Sequence, residues 1–451
     1  MLRAREDVLV IGAGAAGLSA ARDLSLAGCR VTLIEARNRL GGRVHTVHDP
    51  LSPLPIELGA EFIHGQSEST FEIVRAARLQ ADEIPEGHYV SREGHLEQAT
   101  GFWERIEEST EVLRRALRRN PGTDCSFAEY LERAGVDGER GRELREFIEG
   151  FQAAHLDKIS ARSLAVETDE TSSHQFRLPG GNDGLIQSLA RSLDPERVTL
   201  RLNTIARRLR WSRGAVTLSA DSATGRPLDD FRARSAVVAL PHALLREGRL
   251  EFEPALADKQ RAAALLEVGQ VFKIVLRFRE SFWEDEDFLR SRMKKSPDEL
   301  PGLAFLHTRE NDVPVWWTSL PSRSPLFTGW AGGPRAERLL ALEERERIDR
   351  SLESLSKGLS MPRGVLDDRL ESWSSHDWKS DPFSGGAYTY VGVGGVPALQ
   401  AMARPVEGTL FFAGEYTELE EIGTVSGAIS SGRKAARALL QARPSARRPR
   451  R

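Results

Sequence analysis

Residues 7–36 read DVLVIGAGAAGLSAARDLSLAGCRVTLIEA, and the pattern of this stretch decides the fold. DVLVIGAG is an apolar run ending in glycine, as a buried strand does when it enters a tight turn. AAGLSAARDLSLAG is built of small residues at helical spacing and closes at Gly28. CRVTLIEA is a second apolar run. Together they predict a strand–helix–strand unit of about thirty residues, and with it a parallel sheet. Gly12, Gly14 and Gly17 have the spacing of a dinucleotide-binding turn. Gly12 permits the turn, Gly14 lets the backbone approach a pyrophosphate, and Gly17 lets helix and strand pack closely. Ala15 and Ala16 open the helix, whose N-terminal N–H groups and positive dipole end suit phosphates. Glu35 stands 18 residues beyond Gly17, at the end of the second run. A carboxylate there accepts hydrogen bonds from a ribose diol and repels a 2′-phosphate.

The next eight residues, ARNRLGGR at 36–43, extend the cradle. Gly41 and Gly42, with Arg39 and Arg43, suggest a second hold on the phosphates. Ala36 and Arg37 are counted with the cradle, although Arg37 alone reads equally as a surface charge. Enzymes that bind NAD seldom carry this addition. It is similar to the extended fingerprint of flavoproteins that bind FAD through an N-terminal fold.

Bulk properties narrow the function. A chain of 451 residues is too long for one ordinary core, so two packed domains are expected. Hydrophobic residues make up 40% and charged residues 29%, the balance of a soluble globular protein. Lys and Arg number 63 against 66 Asp and Glu, which gives no reason to expect nucleic acid as a partner. Two cysteines, Cys29 and Cys125, exclude a disulfide framework and point to a reducing, cytoplasmic compartment. No apolar run is long enough to span a membrane. The ten histidines are scattered without metal-ligand spacing, and no Ser–His–Asp or Cys–His arrangement stands out. A bound cofactor is therefore expected to carry the chemistry, with no metal.

Along the chain, residues 68–168 read as mostly helical, with FEIVRAARLQ, FWERIEESTEVLRRALRR and SFAEYLERAG as examples. Short strands return in RVTLRLN, AVTLSA and SAVVAL. VFKIVLRF, 271–278, is the clearest strand of the next region, and VSGAISSGRKAARALLQA, 425–442, is a final helix. The end, ARPSARRPRR, reads as a basic, disordered tail over 442–451.

Further segments carry a family resemblance. ELGAEFIHG (57–65), LPGGNDGLIQSLA (178–190), the long block from VVALPHALL to FRESFW (237–283), SGGAYTY (384–390) and TLFFAGEYTELEEIGTVSGAISSGRKAARALL (409–440) lie in order at comparable spacing. In these the chain resembles the monoamine oxidase and polyamine oxidase family of flavin-containing amine oxidases. The resemblance implies an α/β (α+β two-domain) fold, a Rossmann-type FAD-binding domain with a discontinuous substrate domain of helices and a mixed sheet, as in amine oxidase and glucose–methanol–choline-like flavoproteins. The expected division is 1–72, 177–254 and 380–441 for FAD, and 73–176 and 255–379 for substrate.

It also implies roles. Gly59, Ala60, Glu61, Phe62, Ile205, Phe383, Gly414, Glu415 and Val425 are expected to line FAD, Glu415 facing the ribityl chain or phosphates. Some members carry a cysteine where Ala387 stands and form a thioether to the flavin; alanine has no sulfur, so non-covalent FAD is expected. Lys273 is expected to hold a water beside flavin N5, with its pKa lowered if the walls are apolar; a strand lysine facing solvent is the alternative. Tyr388 matches one of two rings that flank the amine, and Thr424 falls at the position of the other, leaving half a cage. Trp378 is expected to pack on the flavin. His64 reads equally as a channel residue or as a capping or surface histidine, and Glu418, Glu420 and Glu421 as a solvated loop or as attractors of distal ammonium groups. The implied reaction is oxidation of a primary or secondary amine, monoamine or polyamine, by hydride transfer to FAD, with dioxygen as second reactant, hydrogen peroxide as product, and a monomer or homodimer as the working form. An L-amino-acid oxidase and a flavin desaturase remain alternatives.

Overall fold

A computed structural model describes residues 6–119, 122–166, 174–295, 297–309 and 311–442. The opening strand, Glu6–Ile11, lies inside an eight-stranded sheet. It pairs in parallel with Val31–Ile34 on one side and Phe231–Val238 on the other. Leu410–Phe412 joins Phe231–Val238, also in parallel, so the end of the chain completes a sheet begun by its start. Ala215–Ser222 and Thr204–Ser212 extend the sheet antiparallel.

Alternation along Glu6–Ile11 shows why the run is apolar throughout. Val8 and Val10 pack toward the helices Ala15–Leu26 and Val425–Ala442, with Leu18, Leu24, Ile429 and Leu439. Leu9 and Ile11 point to the opposite face, against Leu209, Leu218 and Phe412. A strand covered on both faces has no polar side to show. Burying Leu18 and Leu24 fully contributes roughly 2 kcal/mol each. The first and last helices touch closely: a Cβ on Gly432 would sit 2.2 Å from the Ala16 carbonyl, and Ser19 Oγ donates to the Ile429 carbonyl at 2.9 Å.

A seven-stranded sheet forms a second core. Its order is Leu370–Ser375, Val271–Phe278, Leu326–Gly332, Val315–Trp317, Phe305–His307, His88–Arg92, His95–Gln98. Val271–Phe278 is buried at every residue. Phe272, Ile274, Leu276 and Phe278 pack with Trp283, Trp316 and Phe327. A small third sheet pairs Phe62–His64 with Gln175–Arg177, setting Phe62 opposite Arg177.

The block 68–168 departs from the helical expectation. Helices occupy Glu68–Ala77, Phe102–Arg119, Phe127–Arg133, Gly138–Phe151 and Ala161–Val166, but His88–Arg92 and His95–Gln98 form a hairpin at the edge of the second sheet. Its two-residue turn is Glu93-Gly94, both with positive φ, which matches the twist of a hairpin. The final helix ends at Ala442, and the tail from 443 lies outside the described residues. Among the described residues no helix is long and apolar enough to cross a membrane.

Candidate active site

One cavity of about 650 Å³ runs from the glycine turn to the second sheet. Its nucleotide end is made largely of backbone. Gly12 has φ +104°, and a Cβ there would meet the Ala239 carbonyl at 2.5 Å. Gly14 is open toward the cavity, with its nearest neighbour, Gly41 O, at 3.9 Å from a would-be Cβ. Gly17 does not line the cavity; a Cβ there would lie 1.8 Å from Gly12 O, so its role is packing. Glu35 is buried and accepts from the Ala13 and Arg37 backbone N–H groups, both at 2.9 Å. Those two bonds fix the carboxylate and leave lone pairs for a ribose diol.

Three arginines near the second glycine pair behave differently. Arg37 pairs with Asp381 at 2.6 Å, donates to Ser384 Oγ and lies over the Phe383 ring. Burial raises the Asp381 carboxyl, but His376 and Arg37 outweigh it and hold the group well below the carboxylate range. Arg39 turns back onto the Leu40 and Val44 carbonyls of its own loop, so it makes no second phosphate hold. Arg43 donates to Glu415 Oε1 at 2.9 Å and to the Ala387 carbonyl at 2.6 Å. Glu415 is 3% exposed, and its other oxygen, Oε2, has no partner. A buried carboxylate oxygen without a donor is costly. The hydroxyls of a ribityl chain would satisfy it, so the residues here fit FAD.

Lys273 projects from the strand next to the edge of the second sheet into the junction of the cavity. Its Nζ donates to Glu61 Oε2 at 2.7 Å and to the Gly59 carbonyl at 3.1 Å, and lies 5.6 Å from the centroid of the Trp317 ring. The enclosure is therefore not apolar, and the side chain is buried rather than facing solvent. Glu61 also pairs with Arg177 at 2.9 Å and accepts from the Trp317 indole. Burial pushes the Glu61 carboxyl up, yet Lys273 and Arg177 outweigh it and hold it below its ordinary value. Behind this cluster Glu57, fully buried, is pushed up to about 7 by burial against the bonds from Asn182 and Thr46.

The Tyr388 ring is fixed by a 2.6 Å bond from its hydroxyl to the Phe151 carbonyl. Thr424 lines the cavity but its hydroxyl is engaged: it donates to Glu421 O and accepts from Gly427 N, opening the last helix. Trp378 is buried and donates to the Leu58 carbonyl. His64 stands edge-on to Phe151, with Nδ1 unpartnered and its pKa pushed down to about 4 by burial. Glu418 departs from the solvated-loop reading, being buried and paired with Lys434, whereas Glu420 and Glu421 line the cavity. Of the site residues expected from sequence, Gly17, Arg39 and Glu418 fall outside the lining. Neither cysteine lines it; Cys29 is buried in the first core. With alanine at 387 there is no thiol for a thioether.

Sequence reasoning missed Arg177, Trp317, and a group of rings at the far end: His88, Phe102, Trp103, Phe147, Phe305 and His307. The Glu93-Gly94 turn between short alternating runs is a signal that would have found the His88 strand. The others come from separate elements and carry no local signal.

A nucleotide cradle opening through a buried lysine into a ring-lined chamber defines a flavin-dependent oxidoreductase. Residues 15–440 match the family described as flavin containing amine oxidoreductase, and the chain belongs to that family. It is 29% identical to polyamine oxidase 4 of Oryza sativa subsp. japonica over 461 residues, 95% of this chain and 88% of that one. It is 27% identical to lysine-specific histone demethylase 1 homolog 1 of Arabidopsis thaliana, covering 96% of this chain but 52% of that protein. Wild-type putrescine oxidase bound to putrescine shares the fold at TM-score 0.79 and 21% identity, with 97% and 99% of the two chains covered. Cyclohexylamine oxidase from Brevibacterium oxydans IH-35A does so at 0.78 and 22%, with the same coverage. The chain is an FAD-dependent oxidoreductase acting on amines.

Proposed function

We propose that the protein oxidises the C–N bond of a primary or secondary amine, monoamine or polyamine, to an imine that water hydrolyses to a carbonyl compound and the smaller amine. Bound FAD supplies the hydride acceptor, and dioxygen restores it with release of hydrogen peroxide. The observation that carries this reading is the position of Lys273, at the one place where the glycine cradle meets the rings. Glu61 and Gly59 take two of its three N–H donors and leave the third for a water. Arg177 holds Glu61 in place, so the lysine is fixed rather than free to swing. Phe62, Phe151, Trp317, Trp330 and Tyr388 keep the adjoining space apolar, which favours the neutral amine that can release a hydride. Glu149, Glu420 and Glu421 line the same cavity without an ion-pair partner among the described residues, and their charge draws a cationic amine inward.

One observation keeps a second reading in the test. Among the described residues Arg335 lines the cavity with a single 3.4 Å bond to the Asn311 carbonyl, so it has capacity for a substrate carboxylate, as an L-amino-acid oxidase needs. Arg309, by contrast, is held by Glu139, Glu143 and Glu146. Anaerobic mixing with monoamines, polyamines and L-amino acids, followed by flavin absorbance, separates the two. Bleaching by amines supports the proposal; bleaching by L-amino acids alone transfers it to the second reading; no bleaching by any of them removes both.

A further inference from the structure

His88 and His307 lie on neighbouring parallel strands, His88 directly opposite Phe305. His88 Nδ1 and His307 Nε2 are 3.1 Å apart, so the two imidazoles share one proton. The pair is held flat between phenylalanines. Phe102 stacks on both rings, at 4.6 and 4.4 Å between centroids, and Phe305 stacks on His88 at 4.7 Å. Both histidines line the cavity, and neither makes another hydrogen bond among the described residues. Whichever ring carries the shared proton, one free nitrogen is then an N–H and the other a lone pair. The pair therefore offers one donor and one acceptor in either arrangement, and the two ends exchange when the shared proton crosses while one outer nitrogen gives a proton to the bound group and the other takes one from it.

The two rings themselves bring no charge to this end. Burial pushes His307 down to about 4, and Arg309 adds to the effect. Burial, His307 and Arg105 push His88 well below the ordinary value. Both rings are neutral at neutral pH and, among the described residues, no carboxylate bonds to either; Glu143 and Glu146, which line the same cavity, are taken up by Arg309. An uncharged group that can both donate and accept matches what the pair presents.

We infer that the His88–His307 pair binds an uncharged hydroxyl or amide at the end of the substrate remote from the oxidised carbon, and so selects amines that carry one. This rests on the amine-oxidase reading and narrows its substrate class. The test uses the holoenzyme and three series of increasing chain length: terminal amino alcohols, the alkylamines lacking the hydroxyl, and the terminal diamines. At the best-fitting length, kcat/KM for the amino alcohol should exceed that for the alkylamine by roughly tenfold, the worth of one well-made hydrogen bond. His307→Phe, which keeps a ring and removes both nitrogens, should bring the ratio to about one, and His307→Gln, which restores a donor and an acceptor, should recover part of it. A wild-type ratio near one at every length, a preference for the diamine, or a ratio unmoved by His307→Phe overturns the inference. If His307→Phe fails to retain flavin, the wild-type ratio decides alone. Turnover of all three series without preference defeats this inference and leaves the amine-oxidase reading standing; no flavin reduction by any amine defeats both.

Discussion

The two ends of the cavity are made of different material. The nucleotide end is backbone: Gly12, Gly14, Gly41 and Gly42 bring main chain to the surface, and a few side chains such as Glu35 and Glu415 finish it. The substrate end is side chain: rings from a hairpin, two long helices and three strands of the second sheet converge on Lys273. Backbone surfaces need particular residues at fixed spacing, because only glycine leaves the peptide bare. A wall of rings needs only bulk and burial, and many residues at many positions supply that. The cofactor end is therefore rigidly specified, and the substrate end is free to vary in what it admits.

Breaking the backbone end should have the largest effect. Gly17→Val places a side chain where even a Cβ would be 1.8 Å from Gly12 O, and overpacking of this kind costs about 3 kcal/mol or more. The purified variant should be colourless, with a lower melting temperature; a yellow variant of normal stability would show that the turn tolerates bulk. Lys273→Met acts at the junction. Turnover should fall about 100-fold, the scale of losing one preorganised charge, while flavin content changes little. Anaerobic reduction and reoxidation measured separately will show which half-reaction slows.

The substrate end should reveal itself by pH. His64 is neutral in the fold, with a pKa of about 4 against an ordinary 6.5. Between those values the unfolded chain binds the extra proton, so stability is full above pH 6.5 and is lost as pH falls toward 4. The contribution is about 3 kcal/mol. His64→Phe should flatten the fall in melting temperature across that window, and an unchanged slope would place the acid sensitivity elsewhere. Glu415→Ala tests the other end more gently. It removes the acceptor facing the flavin and the partner of Arg43, and should weaken FAD about tenfold in a reconstitution titration. Tyr388→Phe should have the smallest effect, about 1 kcal/mol of stability for the lost bond to Phe151, with a modest rise in KM.

The same difference in material explains what could be read from sequence. The strand Val271–Phe278 and the final helix Val425–Ala442 fall where the runs VFKIVLRF and VSGAISSGRKAARALLQA put them. Each glycine of the cradle announces itself by spacing. Arg177 does not: its partnership with Glu61 arises because the Phe62 and Gln175–Arg177 strands pair in one register, a fact of tertiary structure. His88 falls within a block whose pattern reads as helical, because its strand is five residues long and sits among helices. Arg39 shows the reverse failure. Its position beside the glycine pair suggested a phosphate ligand, but its own loop carbonyls are nearer.

Ser19 and Ile429 touch across 410 positions of sequence. During synthesis, at roughly 5–20 residues per second, the first helix leaves the ribosome roughly 20–80 s before its partner exists. Its small-residue face must stay soluble through that interval, which is easier for alanine, glycine and serine than for leucine. The nascent protein can therefore complete its flavin cradle only after Val425–Ala442 has been made, and a chain cut before that helix lacks the Thr424 and Val425 side of the cavity.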